Sequence, residues 1–178
     1  MFSNFLRKHK PPKEQIITIV QYERQDFTVG NEEELHWAIV VLPSDGKTPQ
    51  TKGRSFQVID RHYSDGRGTV WTLHDQEEDL KKTRRCLGGV QIGKVSASGG
   101  EYEELCSVLS KHLPEVKYEG WNCRSWVMEA VGLMREKGWL QDDIPDQAKV
   151  FVRMRRASVA TKKVYDEGGN EPTLVSLN

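Results

Sequence analysis

The chain has 178 residues, of which 37% are hydrophobic and 29% are charged, and its 26 basic and 26 acidic side chains give a formal net charge of zero. This length supports one substantial hydrophobic core and argues against two. The balanced charge argues against a general affinity for nucleic acids or for acidic membranes. We therefore expect a single globular domain that has no nucleic-acid partner.

The cysteine content bears on compartment and cofactors. Cys86, Cys106 and Cys123 are odd in number and show no CxxC or histidine-rich spacing, which argues against a disulfide framework and against zinc. No window approaches the roughly 20 apolar residues of a membrane-spanning helix, and the start of the chain lacks the apolar stretch of a secretory signal. We predict a cytoplasmic protein with no stable membrane anchor, no metal and no other cofactor, and the sequence leaves its oligomeric state open.

Composition also suggests where the domain begins and ends. We predict one domain over residues 14–157, a basic leader at 1–13 and a mobile tail at 158–178. The leader places Arg7, Lys8 and Lys10 before a proline pair. The tail loses hydrophobic periodicity and ends in turn-forming residues with few aromatics, which is typical of a disordered segment.

Short runs rich in β-branched and aromatic residues predict five strands. They lie at 15–22, 35–42, 55–62, 69–73 and 87–95. The run 35–42 is almost continuously apolar, as in a strand that is covered on both faces. We expect it to pair antiparallel with 55–62, and we expect the charged segment 74–85 to form a short exposed helix or a loop.

Two segments show the three- and four-residue spacing of an amphipathic helix. The first covers 101–113 and ends before Pro114, and Cys106 lies on its apolar stripe as a predicted core residue. The second begins after Asn122, runs through a predicted core residue, Trp126, and stops at Gly138. Segment 148–154 fits either a helix or a strand. Together these elements predict an α+β fold in which an antiparallel sheet packs against helices.

Cys123 occupies a position that favours reactivity. Asn122 is a good N-cap, so Cys123 is expected in the first turn of the second helix. There the unpaired backbone N–H groups and the positive end of the helix dipole stabilise a thiolate. Cys123 is therefore a candidate nucleophile.

A nucleophilic thiol needs a base, and the chain offers five histidines. His9 and His112 are expected at the surface. His36 differs, because it stands near the end of an apolar strand, where side chains commonly project into an active-site cleft. On its own it is also compatible with a hydrogen-bonded core histidine.

Two short motifs carry a resemblance. The segment 35–41, LHWAIVV, and the segment 122–127, NCRSWV, resemble the histidine and cysteine motifs of the lecithin retinol acyltransferase-like enzymes, a group of circularly permuted papain-like proteins. The histidine precedes the cysteine in the chain, as it does in the permuted branch. The resemblance implies a permuted papain-like fold in which Cys123 is the nucleophile and His36 is the general base and later the acid.

The resemblance also implies a third residue that orients the imidazole. The strand-end position matches Asp60, with His62 as a rival and Gln57 as a more remote one on the opposite face. Arg124-Ser125 departs from the acid and histidine typical of lipid-acting members. That departure keeps open the alternative of a catalytically inactive papain-like binding module.

The chemistry implied by these residues is acyl transfer through a thioester on Cys123. The substrate would be a peptide or another acyl-bearing molecule with an amide, ester or thioester, and hydrolase and acyltransferase activities both fit. Trp37 and Trp121 flank the predicted pair in the sequence. They are predicted either to line an apolar substrate pocket or to belong to the core.

Overall fold

The computed structural model describes residues 11–141 and 147–177. Six strands are present in the described chain: β1 (Glu14–Tyr22), β2 (His36–Ser44), β3 (Lys52–Tyr63), β4 (Gly68–Asp79), β5 (Cys86–Ser96) and β6 (Leu174–Ser176). Three α-helices accompany them: α1 (Glu101–Lys111), α2 (Cys123–Glu136) and α3 (Gln147–Asp166). The predicted basic leader falls almost wholly outside the described residues, which begin at residue 11.

The strands form one mixed sheet in the order β4-β3-β2-β1-β5-β6. Neighbouring strands are antiparallel except for β5 and β6, which are parallel. The predicted α+β class is confirmed, and the sheet differs from the expected antiparallel one only in β6. Strand β1 pairs with β2 from Glu14 opposite Ser44 to Tyr22 opposite His36, which puts His36 at one end of the central strand pair.

The main core lies between one face of the sheet and the three helices. Alternate residues of the central strands point into it, because successive side chains of a strand face opposite sides. Its fully buried members include Ile17, Ile19, Trp37, Ile39, Phe56, Val90, Leu105, Trp126 and Met154. The predicted core positions of Trp126 and Cys106 are confirmed, with 0% and 5% of their surface exposed. None of the described helices is long and apolar enough to cross a membrane.

A smaller apolar cluster covers the opposite face of the central strands. It contains Val20, Tyr22, Ala38, Val40, Leu42, Leu80 and Cys86. Leu80 belongs to a short 3-10 turn, Leu80–Lys82, that follows β4. Because both faces of β2 are covered, its nearly continuous apolar sequence is explained.

The segment predicted as a charged helix or loop mostly extends the sheet instead. Strand β4 continues through Asp79, paired with β3 along its whole length. Arg54 on β3 donates two hydrogen bonds to Asp75 on β4, at 2.6 and 2.8 Å. In the register Arg54 faces Glu77, so Asp75 is its diagonal neighbour, and opposite charges at such cross-strand positions stabilise the strand pair. Cross-strand pairing therefore overrides the low strand propensity of this polar sequence.

The prediction of a mobile tail from residue 158 is wrong. Helix α3 runs to Asp166 and buries Ser158, Thr161 and Tyr165. Beyond it, β6 adds to the sheet edge, and the backbone carbonyl of Leu177 accepts a 2.8 Å hydrogen bond from Arg153. The tail is ordered because it completes both the helical layer and the sheet.

Helix α3 packs unusually close to β5 at Gly88. This glycine has a φ of +81°, and a Cβ built on it would lie 2.4 Å from the carbonyl oxygen of Thr173 and 2.5 Å from the hydroxyl of Thr161. A side chain at this position would therefore be both strained and blocked. The buried residues of α3 near this contact, Ala157 and Ser158, are small, so their spacing gave no apolar signal in the sequence.

Candidate active site

The start of α2 is built around the side chain of Asn122. As the N-cap, Asn122 accepts a 3.0 Å hydrogen bond from the backbone N–H of Arg124, and its own backbone N–H donates to the hydroxyl of Ser125 at 3.2 Å. The Asn122 side chain also accepts from the backbone N–H of Ser125, and this contact and the one to the Ser125 hydroxyl form a capping box. The Tyr118 hydroxyl also donates to Ser125, at 2.8 Å. Cys123 is consequently held as the first residue of the helix, as predicted.

The structure brings Cys123 together with His36. Burial opposes ionisation of the Cys123 thiol, but a hydrogen bond to His36, attraction to its charge and a hydrogen bond from the backbone N–H of Trp37 outweigh that effect. The net result is a pKa below the ordinary value for a thiol. The nearby Arg124 guanidinium contributes in the same direction. Cys123 is therefore predisposed to form a thiolate.

His36 responds in the complementary direction. Burial alone would lower the pKa of the imidazole, but the hydrogen bonds with Cys123 and Gln57 and the attraction to Cys123 raise it above its ordinary value. Each group thus favours the charged form of the other. The arrangement can hold a thiolate beside an imidazolium.

Gln57, rather than Asp60, is the residue that orients His36. The Oε1 atom of Gln57 lies 2.8 Å from Nε2 of His36. An imidazole has two ring nitrogens, and with Nε2 at Gln57 and the other ring nitrogen available to Cys123, none is left for a third partner. Gln57 is 8% exposed, so its side of this hydrogen bond is largely shielded from water.

Asp60 and His62 make their contacts with other groups. The Asp60 carboxylate is 43% exposed and lies 4.0 Å from the guanidinium of Arg24, and exposed His62 contacts the hydroxyl of Thr69 at 3.4 Å. The expected role of Asp60 is therefore corrected. Strand geometry gives the reason, because Ile39 faces Phe56 in the β2–β3 register, which places Gln57 on the same side of the sheet as Ala38 and His36.

An open cleft of about 390 Å³ lies beside the imidazole. It is bordered by His36 and Gln57 together with Tyr22, Arg24, Asp60, Glu78 and Arg85, among others. Cys123 is not among the lining residues and is only 2% exposed. The cleft therefore opens on the histidine side of the pair.

The two tryptophans predicted near the site occupy the core. Trp37 is fully buried with its ring 5.0 Å from that of Phe151. Trp121 is 4% exposed, meets Trp71 edge to face at 5.3 Å and donates from Nε1 to Glu129 at 2.8 Å. Neither tryptophan borders the cleft at His36. Of the two roles left open for them, the packing supports the structural one.

The other histidines and cysteines lie apart from this pair. His112 stacks on Trp126, with ring centroids 5.4 Å apart, and His9 lies outside the described residues. Cys86 and Cys106 are free thiols whose pKa values are raised, chiefly by burial. In the described ranges, no group of three or more His, Cys, Asp or Glu side chains could hold a metal ion.

The fold and the site together define an α+β protein in which a cysteine at a helix start meets a histidine at a strand end. The chain belongs to a family of unknown function, DUF6914, whose model matches residues 15–166. This match extends from β1 to the end of α3 and includes both members of the pair. No curated protein and no solved structure matches the chain.

Proposed function

We propose that this protein is a cysteine-dependent hydrolase or acyltransferase that acts on an amide, ester or thioester through a thioester on Cys123. The single observation that carries the proposal is the contact between Cys123 and His36. It combines a thiol of lowered pKa, an imidazole of raised pKa and a third residue, Gln57, on the far ring nitrogen. Nucleophile, base and orienting group are the three parts that thiol catalysis requires.

In the proposed mechanism, the Cys123 thiolate attacks the carbonyl carbon of the substrate and a C–S bond forms. The imidazolium of His36 then gives its proton to the leaving group as the bond between that group and the carbonyl carbon breaks. The neutral imidazole next takes a proton from water or from an acceptor, which attacks the thioester. The C–S bond breaks and the sulfur departs as a thiolate, so the starting pair is restored.

The helix start also offers help for the oxyanion. The backbone N–H of Cys123 belongs to the first turn of α2, whose N–H groups have no acceptor within the helix. One such donor aimed at a developing oxyanion is worth about 3 to 4 kcal/mol in other enzymes. We propose the Cys123 N–H for this role.

The same features support a permuted papain-like arrangement of the domain. The histidine strand precedes the cysteine helix in the chain, and helix α2 packs against the sheet with Cys123 at its N-terminus. We propose that residues 14–166 form this catalytic unit. We also propose that it works in a reducing compartment such as the cytoplasm, because an activated thiol must stay reduced there.

Selective alkylation tests the proposal. At about pH 6, where ordinary thiols are almost fully protonated, iodoacetamide should label Cys123 faster than free cysteine. Intact-mass measurements on wild type, Cys123→Ser and His36→Ala should show one fast adduct, none and a slow one, respectively. Cys106→Ser is the matched control and should keep the fast adduct. Equal and slow labelling of all three cysteines would reject the proposal.

A second candidate, an inactive binding module with the same fold, is favoured by the burial of Cys123. Only 2% of the surface of Cys123 is exposed, so neighbouring side chains must move before a substrate carbonyl reaches the sulfur. The two candidates separate when activated thioesters are offered as acyl donors. An acyl adduct on Cys123 that turns over supports the enzyme, whereas a protein that forms no adduct with any donor supports the binding module.

A further inference from the structure

The cleft beside His36 contains a carboxylate whose hydrogen bonding is incomplete. Glu78 lies on β4 and lines this cleft. Its Oε1 accepts a 2.8 Å hydrogen bond from the hydroxyl of Tyr22. Its Oε2 is buried and has no hydrogen-bond partner within the described parts of the chain. Leaving a buried acceptor unpaired is destabilising, and more so for a charged group, so a donor from a ligand would be stabilising here.

The charges around the cleft favour a cation as that donor. Three carboxylates, Glu23, Asp60 and Glu78, line it against two guanidinium groups, Arg24 and Arg85, and against His36, whose imidazolium charge is balanced by the Cys123 thiolate in the proposed pair. Arg24 lies close to Asp60, at 4.0 Å. Arg85 is exposed, so water screens its charge more than it screens the buried oxygen of Glu78. The group in the cleft that most lacks a partner is therefore the negatively charged Oε2 of Glu78.

The cleft is also placed where a leaving group or an acyl acceptor would bind. It is lined by His36 and not by Cys123. Tyr22, which holds Glu78, has its ring centroid 6.2 Å from that of His36. In acyl transfer the leaving group and the acceptor must exchange a proton with the histidine, while the acyl carbon is bonded to sulfur.

We propose that this cleft binds the leaving group or the acyl acceptor, and that Glu78 receives a primary ammonium group carried by that molecule. The assignment rests on the function proposed above and adds a substrate class to it. In the transfer direction, an amine nitrogen attacks the thioester carbon and gives a proton to His36. The C–S bond then breaks, an amide forms and Cys123 leaves as a thiolate. A second, charged amine of the same acceptor donates to Glu78.

Ligand binding tests the subsite without any catalysis. Pentylamine and pentan-1-ol have similar shapes and differ in the ammonium group, so their affinities can be compared by titration calorimetry on the full chain. Pentylamine should bind at least about tenfold more tightly, a difference of about 1.4 kcal/mol. Glu78→Gln should abolish the difference, whereas Asp60→Asn, at an exposed carboxylate in the same cleft, should keep most of it. Equal affinities for the two ligands would overturn the subsite.

Acyl transfer gives the second test. After acylation by an activated thioester, pentane-1,5-diamine should release the acyl group at least about tenfold faster than pentylamine. The added carboxylate of 6-aminohexanoate should give no advantage over pentylamine. A wild-type preference for 6-aminohexanoate, or a diamine advantage that persists in Glu78→Gln, would overturn the ammonium assignment while leaving the thioester mechanism intact.

The outcomes separate the two proposals. If no acyl-enzyme forms, the proposed function fails, and the calorimetric comparison still decides whether Glu78 binds an ammonium group. If Glu78→Gln does not fold, the wild-type preferences between pentylamine and pentan-1-ol and between the diamine and pentylamine decide the assignment by themselves.

Discussion

The guanidinium of Arg124 donates a 3.0 Å hydrogen bond to the backbone carbonyl of Leu35. Arg124 directly follows Cys123 and Leu35 directly precedes His36. One contact therefore joins the two segments that carry the pair, although they are far apart in the chain. Arg124 is therefore half-buried and held against the histidine segment.

Replacing Arg124 with alanine should loosen the contact between Cys123 and His36. It removes the tether to Leu35 and a positive charge that helps to lower the pKa of Cys123. We expect the alkylation rate of Cys123 at about pH 6 to fall by about tenfold. We expect a loss of about 1 kcal/mol in the free energy of unfolding. Arg156→Ala, at an exposed position of α3, is the control and should change neither quantity. An unchanged alkylation rate in Arg124→Ala would show that the Arg124–Leu35 contact does not support the Cys123–His36 pair.

Gln57 should matter to the reactivity of Cys123 and Asp60 should not. In Gln57→Ala the imidazole loses its orienting partner, so we expect at least about a tenfold fall in the alkylation rate. Asp60→Ala should stay within about twofold of wild type, because Asp60 does not contact the ring. Gln57→Asn measures whether the length of the side chain is required. The opposite ranking of Gln57→Ala and Asp60→Ala would restore the original assignment of Asp60.

The pH dependence of alkylation should follow the lowered pKa of Cys123. Since the thiolate is the reacting form, the rate should fall as the pH drops through that lowered value and stay high above it. In His36→Ala the largest remaining influence is burial, which raises the pKa of a thiol. The midpoint of the rate profile should then move to higher pH. A profile that is identical in the two proteins would show that His36 does not activate the sulfur.

Ser158 should contribute to stability through Glu32. Glu32 is 3% exposed and its Oε1 accepts hydrogen bonds from the Ser158 hydroxyl at 2.7 Å and from the backbone N–H of Gly30 at 3.0 Å. Ser158→Ala would leave this buried acceptor with one donor fewer, at a cost of about 1–3 kcal/mol in the free energy of unfolding. Ser110→Ala, which removes an exposed hydrogen bond to Asp75, is the control and should cost less. Denaturant titration measures both.

The same carboxylate should make stability sensitive to acid. Burial alone would raise the pKa of Glu32, but its hydrogen bonds outweigh that effect and the pKa is lowered. A lowered carboxyl pKa contributes stability that is complete above the unfolded-state value and is lost as the pH falls through the folded-state value. Ser158→Ala should therefore destabilise the protein less at low pH than at neutral pH. A constant difference across this range would contradict the linkage.

Local patterns were sufficient to predict β1, β2, β3 and β5, the first part of β4 and the position of Cys123. The strand at 15–22 and the helix that begins after Asn122 were found within a residue or two, because each carries its own periodicity and cap. Strand β6 and most of α3 were missed for a physical reason. The buried face of α3 is made partly of Ala157, Ser158 and Thr161, which fit against Gly88 but carry no hydrophobic signal.

The site was only partly predictable for a similar reason. Cys123 and His36 could be proposed from their positions in single elements. The partner of His36 depends on which residue of β3 faces β2, and that register depends on pairing between strands. Glu78 could not be predicted as a site residue at all, because the charged residues around it in the sequence resemble an exposed loop. The places of Gln57 and Glu78 in the site both depend on contacts between segments that are distant in the sequence.

The parallel pairing of β6 with β5 has a consequence for biosynthesis. The polar backbone groups along that side of β5 cannot be satisfied by β6 until residues 174–176 have been translated, long after the first five strands have left the ribosome. Nascent chains would therefore display an unpaired strand edge of the kind that recruits other chains. Folding yield should be sensitive to how quickly residues 174–176 dock on β5, and to chaperones that shield the nascent sheet in the meantime.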